Sequence, residues 1–191
     1  MIGAKQVPRG SHEGGHVLKA GDPSVLEVTE RPLTDPDAGE VRVRLAVSGV
    51  NPTDWKSRRT TYGDSVNEPT VPNHDGAGVV DAIGTDVSGF SIDDRVWVTL
   101  AGDGRPASGT AQEYTVVPAQ RVFALPENAD FELGASIGIP AATAHRALTV
   151  AEDGPARLHP ARSRVERASL RAEPGPSATL RSSWHAGPTP P

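Results

Sequence analysis

Apolar and polar residues alternate in short runs through the first 130 positions of the chain. The clearest run places apolar side chains at every second position, at Val41, Val43, Leu45 and Val47. A period of two is typical of a β-strand that buries one face and leaves the other in water. The sequence therefore predicts a strand at 41–48, after a turn at 35–40 that is rich in Asp, Pro and Gly.

Shorter apolar runs lie on both sides of this strand and are separated by turn sequences. Residues 16–19 and 25–28 flank Gly21-Asp22-Pro23, which predicts a β-hairpin. Further strands are predicted at 78–83, 95–99, 111–117 and 121–124. Short strands at such spacing are typical of a small β-barrel, so we expect a mainly β domain over residues 16–130.

Helical patterning begins only after residue 130. Asp130 is a suitable N-cap for a helix at 131–135. Pro140 has no backbone N–H and predicts a break before a second helix at 141–150. We therefore expect residues 131–158 to be a helical connection that leads out of the β domain.

The first fifteen residues show no apolar period and are rich in Gly and polar groups. We predict that residues 1–15 are a flexible lead-in. His12, Glu13 and His16 could be drawn as a metal cluster, but metal binding needs a rigid element that fixes the ligands. We expect a solvated loop there instead.

Composition excludes several classes of function. Apolar residues make up 36% and aromatic residues 4% of the 191 positions, and the net charge is -5 with both signs dispersed. No basic stripe with interleaved aromatic residues indicates a nucleic-acid partner. No window reaches the ~18 apolar residues of a membrane span, and no cysteine is present for a disulfide or a thiolate metal site. The sequence predicts a soluble, cytoplasmic protein that has no membrane partner.

The segment from Asn51 to Asp54 brings polar side chains to the end of the strand predicted at 41–48. Pro52 cannot donate a backbone hydrogen bond and biases Asn51 to an extended conformation, so a short helix can begin at Thr53 or Asp54. Taken alone, Asn51 is interpreted as the strand end and Asp54 as a helix cap.

Three segments together resemble one family. Residues 48–56 (SGVNPTDWK), 73–80 (NHDGAGVV) and 138–148 (GIPAATAHRAL) are similar, in order and spacing, to the amino-terminal half of quinone-oxidoreductase (zeta-crystallin-like) medium-chain dehydrogenases. The resemblance covers about residues 16–158. It implies a GroES-like barrel with short flanking helices, which in the family is followed by a nucleotide-binding Rossmann domain.

The resemblance also implies a reaction and the residues that take part in it. Members of the family transfer a hydride from NADPH to a quinone or an enone without a metal ion. By resemblance, Asn51 and Asp54 line the nicotinamide and substrate pocket, Tyr62 contacts the acceptor, and Thr143 reaches the nicotinamide amide. A small-molecule quinone or enone is thus the expected partner, and the intact family can form homodimers.

A zinc-dependent alcohol dehydrogenase is the alternative within the same resemblance. Zinc-dependent relatives carry Gly-His-Glu where this chain has Asn73-His74-Asp75, so His74 is a ligand in principle. Asn51 stands where those relatives carry a catalytic Cys, however, and zinc needs several convergent ligands. We therefore predict no metal site, and we assign Gly76 and Gly78 to a bulge or a close backbone approach.

The last segment, residues 159–191, has no apolar period and ends in GPTPP. A stretch rich in Arg, Pro, Ser and Ala buries too little apolar surface to offset chain entropy, so we predict disorder in place of a Rossmann domain. Shifting the reading frame by one base allows residues 172–187 to be read as GAGAIGNAAVQLARR, a Gly-rich turn and a helix. We therefore hypothesise a frameshift near Leu158, which DNA sequencing would test.

A frameshifted fragment without the nucleotide-binding turn is expected to be inactive as it stands. The remaining alternative to an enzyme fragment is a GroES-like module without catalytic activity, or a gene remnant.

Overall fold

A computed structural model describes residues 10–60, 69–149, 170–171 and 181–182. The strands are β1 (Ser11–Val17), β2 (Leu26–Pro32), β3 (Glu40–Gly49), β4 (Asp75–Ile83), β5 (Arg95–Val98), β6 (Tyr114–Pro118), β7 (Val122–Ala124), β8 (Leu170–Arg171) and β9 (Arg181–Ser182). The α-helices are α1 (Pro52–Thr60) and α2 (Phe131–Thr149). Short 3₁₀ turns occur at Pro23–Val25, Pro106–Ser108 and Ala119–Arg121.

The centre of the fold is a five-stranded antiparallel sheet in the order β6-β3-β4-β5-β7. Its buried face is formed largely by β-branched valines, which fit a pleated surface well. Val41, Val43, Val80, Val96, Val98 and Val117 are all fully buried. The alternation predicted for residues 41–48 is confirmed, and so is the mainly β architecture.

The predicted hairpin also forms, but it begins earlier than the sequence indicates. β1 and β2 pair antiparallel from Ser11 opposite Pro32 to Val17 opposite Leu26. The prediction that residues 11–15 belong to a flexible lead-in is therefore wrong. The backbone supplies the reason, because Gly15 donates its N–H to the carbonyl oxygen of Ala111 at 2.7 Å, a tertiary contact that no local period reveals.

The solvated loop predicted around His12 is likewise wrong. His12 and His16 lie on β1 and are 4% and 6% exposed. The His12 ring packs edge-on against Tyr114, and His16 Nδ1 lies 2.9 Å from Thr29 Oγ1. The His12 imidazole therefore belongs to the packing between the hairpin and the central sheet, and the His16 imidazole bonds to β2 within the hairpin.

β4 passes very close to β3, as predicted for its glycines. A Cβ at Gly78 would lie 2.0 Å from the carbonyl oxygen of Arg44. The β3–β4 register also shifts between Leu45 and Val47, which identifies a bulge. This irregular pairing leads directly into the end of β3.

The start of each helix follows from the sequence nearby, but the length of α2 does not. α1 begins at Pro52, since the first helical position needs no N–H donor. α2 is capped by Asp130, whose Oδ1 accepts the N–H of Leu133 at 2.7 Å. The predicted break at Pro140 is wrong, because α2 continues through it to Thr149. The N–H of Ile139, just before the proline, is donated to the side chain of Asp75 at 2.7 Å, so tertiary contacts hold the helix here.

By its contacts the chain divides into two compact units, residues 1–140 and 141–191. In the second unit α2 continues to Thr149, and β8 pairs antiparallel with β9. Apart from these two short strands, the predicted disordered tail at 159–191 lies outside the described residues. None of the described helices is long and apolar enough to cross a membrane.

Candidate functional site

The end of β3 and the first turn of α1 form a tight polar corner. Asn51 separates the strand from the helix, and the Oδ2 atom of Asp54 accepts the backbone N–H of Asn51 at 2.6 Å. Pro52 supports the corner because its ring fixes a helical φ. Asn51 and Asp54 are 5% and 4% exposed, so this polar corner is packed against the domain interior.

Asp75, the first residue of β4, lies beneath the corner and is completely buried. Its Oδ2 atom accepts the Asn51 side-chain amide at 2.8 Å and the backbone N–H of Ile139 at 2.7 Å. Its Oδ1 atom accepts the Thr99 hydroxyl at 2.7 Å. The carboxylate thus connects the end of β3, the end of β5 and the first half of α2.

The surroundings of Asp54 change its pKa. Burial raises the pKa of Asp54, while the hydrogen bond from Asn51 and the nearby His74 act in the opposite direction. Asp54 Oδ1 lies 4.0 Å from His74 Nε2. Within the described residues, Asp54 Oδ1 and His74 Nδ1 are the buried side-chain atoms that lack a hydrogen-bond partner.

A cleft of about 260 Å³ opens beside the corner. It is lined by the end of β3 and by the first half of α2, at residues 47–51, Glu132, Ala135, Ser136 and Pro140. Asn51 contributes to this lining, and its Nδ2 atom is directed to Asp75. The Asn51 Oδ1 atom has no hydrogen bond to any described residue, which leaves it free to accept one from a ligand.

The predicted site residues fall into three groups. Asn51 and Asp54 lie together at the corner, as the resemblance implies. Tyr62 lies outside the described residues. Thr143 lies on the exposed part of α2 in the second compact unit.

Sequence reasoning missed the residues that hold the corner in place. In the sequence Asp75 belongs to a zinc-like motif, and no local pattern marks Thr99 or Thr110 as part of a site. Thr110 is fully buried, and its hydroxyl donates to the backbone oxygen of Asp75 at 2.6 Å. An acidic residue at the start of an otherwise apolar buried strand was the available signal, because buried carboxylates require partners.

The donor set of this region does not fit a catalytic zinc ion. The chain has no cysteine, and the part that the structure describes contains no group of three His, Asp or Glu side chains able to hold a metal. Zinc sites use three or four convergent protein ligands. His74 and Asp54 together supply two.

The fold and the corner define a GroES-like domain of the kind found in alcohol dehydrogenases. Residues 37–127 match the family described as "Alcohol dehydrogenase GroES-like domain". The match lies within the predicted barrel at 16–130, and it confirms the predicted GroES-like fold.

Individual relatives identify the larger family. The chain is 36% identical over 133 residues to a quinone oxidoreductase from Lama guanicoe, covering 69% of this chain and 39% of that one. A mycobacterial protein solved in complex with NADPH matches with 27% identity and a TM-score of 0.64, covering 74% and 41% of the two chains. An NAD-dependent alcohol dehydrogenase structure matches with 30% identity and a TM-score of 0.66, covering 72% and 46%.

The chain therefore belongs to the medium-chain dehydrogenase/reductase superfamily and is a homologue of its quinone oxidoreductases. It spans about two fifths of the length of the curated relatives that it matches, since the match covers 39% of the guanaco protein.

Proposed function

We propose that this chain carries the acceptor-side half of a zinc-independent, NADPH-dependent oxidoreductase that reduces quinones or enones. The observation that carries the proposal is the Asn51 corner, where a carboxamide anchored by Asp75 lines a cleft of about 260 Å³. The similarity to quinone oxidoreductases supports the reaction class. The mycobacterial neighbour solved with NADPH supports the choice of cofactor.

Asn51 is the residue that meets the nicotinamide and the acceptor in this proposal. Its free Oδ1 atom would accept a hydrogen bond from the carboxamide of the cofactor. Asp54 has a side chain that is 3% exposed, so it acts through the backbone of Asn51, whose N–H it accepts. By resemblance, Tyr62 contacts the acceptor and Thr143 the nicotinamide amide.

The described residues fit the nicotinamide end of NADPH and not its pyrophosphate. Every strand pairing among them is antiparallel, whereas the pyrophosphate is held by a Gly-rich turn within a parallel βαβ unit. NADPH would supply the hydride, which with a proton reduces the acceptor. The contribution of this chain is to orient the acceptor and to exclude water from the cleft. We propose that the 191 residues alone bind NADPH weakly and have little reductase activity.

NADPH fluorescence tests the proposal on two proteins, the 191-residue chain and a restored protein, in which the frameshift hypothesised near Leu158 is reversed. Saturable binding and quinone reduction are expected only from the restored protein. In that protein Asn51→Ala should lower kcat/KM by about tenfold or more, the effect of losing one positioned hydrogen bond in a dry site. Asn128→Ala, at an exposed asparagine, is the matched control.

Two results would contradict the proposal in different ways. Tight NADPH binding by the 191 residues alone would show that the nucleotide site is already present in them. A restored protein that folds but neither binds NADPH nor reduces a quinone would favour a GroES-like module without catalytic activity.

A further inference from the structure

The buried carboxylate of Asp75 has the geometry to control which way the Asn51 carboxamide points. We infer that Asp75 is a positioning residue that orients Asn51 with its Oδ1 toward the cleft and ties that orientation to α2. The functional meaning of this inference rests on the function proposed above, whereas the orientation itself does not.

The chemical basis is that an ionised carboxylate only accepts hydrogen bonds. Asp75 Oδ2 lies 2.8 Å from Asn51 Nδ2. Rotating the Asn51 carboxamide by half a turn would bring its oxygen against the carboxylate oxygen and would leave Asp75 without this donor. The buried position of Asp75 makes such a loss costly, since a buried polar group that lacks a hydrogen-bond partner is destabilising.

The link to α2 depends on the same oxygen atom. Asp75 Oδ2 also accepts the N–H of Ile139 at 2.7 Å. The helix can come this close because position 138 has no side chain, as a Cβ at Gly138 would lie 2.3 Å from Asp75 Oδ1. A shift of α2 along its axis would therefore disturb the acceptor on which the Asn51 amide depends.

The geometry makes a distinctive prediction for the isosteric change Asp75→Asn. The amide oxygen of the new residue can replace Oδ2 and still accept from Asn51 and Ile139. Its amide NH2 then faces the Thr99 hydroxyl, which can rotate to accept, because Thr99 Oγ1 lies 2.7 Å from the position of Oδ1. Asp75→Asn should therefore preserve the Asn51 orientation.

Hydrogen exchange of the Asn51 side-chain NH2, measured by ¹H–¹⁵N NMR on the 191-residue protein, tests the inference. The signal is assigned by its loss in Asn51→Ser, and the exposed Asn128 provides the reference for an unprotected amide. Asp75→Ala should accelerate Asn51 exchange by about tenfold or more. Asp75→Asn and Thr99→Val, each alone, should leave it within about twofold of the wild type, the range expected when the Asn51 hydrogen bond is kept.

The variant Asp75→Leu should free Asn51 as Asp75→Ala does, because its methyl groups cannot accept the Asn51 amide hydrogen. Leu has the same branching as Asp and leaves no cavity, so Asp75→Leu decides the question even where Asp75→Ala fails to fold. Exchange of the buried Val43 backbone amide serves as the control for general loosening.

The inference is overturned if Asn51 exchange is unchanged in Asp75→Ala or Asp75→Leu, or if Asp75→Asn or Thr99→Val alone frees Asn51. It is also overturned if Val43 and Asn51 always accelerate together. No nucleotide enters this measurement, so a restored protein that fails to bind NADPH would count against the proposed function and not against the positioning role.

Discussion

At the scale of single residues, the corner after β3 shows three polar side chains with separate tasks. Asn51 lines the cleft, Asp75 accepts the Asn51 side-chain amide, and Asp54 accepts the Asn51 backbone N–H. Asp54 has the least favourable surroundings, because one carboxylate oxygen is buried without a hydrogen bond. Such a group contributes to the pH dependence of folding.

The variant Asp54→Asn should change that pH dependence in a defined direction. Burial raises the pKa of Asp54 above its ordinary value of 3.8, so the folded state holds this proton more tightly than the unfolded chain does. Stability from Asp54 is therefore full below pH 3.8 and is lost as the pH rises through the higher folded pKa. The neutral Asn keeps an acceptor for the Asn51 N–H and has no such loss.

Urea unfolding between about pH 4 and pH 7 measures this effect. The free energy of unfolding of Asp54→Asn should rise relative to that of the wild type as the pH increases. Asp86→Asn, at an exposed turn, is the control for removal of one negative charge. A difference that stays constant, or that moves in the other direction, would refute the assigned role of burial.

At the scale of elements, the packing of α2 against the end of β3 shapes the cleft. A Cβ at Gly49 would lie 2.1 Å from the carbonyl oxygen of Ala135, so the strand end and the helix backbone are in direct contact. A backbone atom cannot move aside as a flexible side chain can. A side chain at position 49 would therefore force α2 itself to shift.

Gly49→Ala should therefore destabilise the domain by about 2 kcal/mol or more, as expected for overpacking against a rigid element. The NMR signals of Ala135 and Ile139 should move with it. Gly102→Ala is the matched control, because its Cβ would meet no atom closer than 3.5 Å, the Cε1 of His74. Equal stability losses in the two variants, measured by thermal unfolding, would show that the contact is not the cause.

The elements also show which features can be predicted from sequence. The strand at Glu40–Gly49 and the start of α1 follow from local chemistry, namely alternation and a proline at the first helical turn. The continuity of α2 through Pro140 does not, because it depends on contacts such as that between Ile139 and Asp75, residues 64 positions apart. The same holds for β1, whose Gly15 bonds to Ala111.

The residues of the candidate site also divide into those that the sequence predicts and those that only the structure shows. A resemblance of short motifs identified Asn51 and Asp54, whose polar groups meet within one turn of chain. It did not identify Asp75 as the support of Asn51, since their 24-residue separation closes only when β3 pairs with β4. Sequence-local reasoning therefore finds the residues at the cleft more readily than the residues that orient them.

At the scale of the whole molecule, the main question is which branch of the superfamily this chain represents. The zinc-dependent and zinc-independent relatives differ in the donor atoms that they place at this corner, and the donor atoms present here support the zinc-independent proposal. Asn51 contributes an amide that is already bonded to Asp75. His74 and Asp54 come within 4.0 Å of each other, but the described residues provide no third ligand for a tetrahedral ion.

We therefore expect the purified 191-residue protein to retain less than about a tenth of an equivalent of zinc after incubation with the metal and desalting, because two ligands bind zinc only weakly. Inductively coupled plasma mass spectrometry measures the content directly. His74→Asn should not change it, and His145→Asn, at an exposed histidine, is the control for adventitious binding. Stoichiometric zinc that is lost in His74→Asn and kept in His145→Asn would contradict this expectation and assign the chain to the zinc-dependent alcohol dehydrogenases. Asn51 would then be a neighbour of the metal ion and not the residue that meets the nicotinamide.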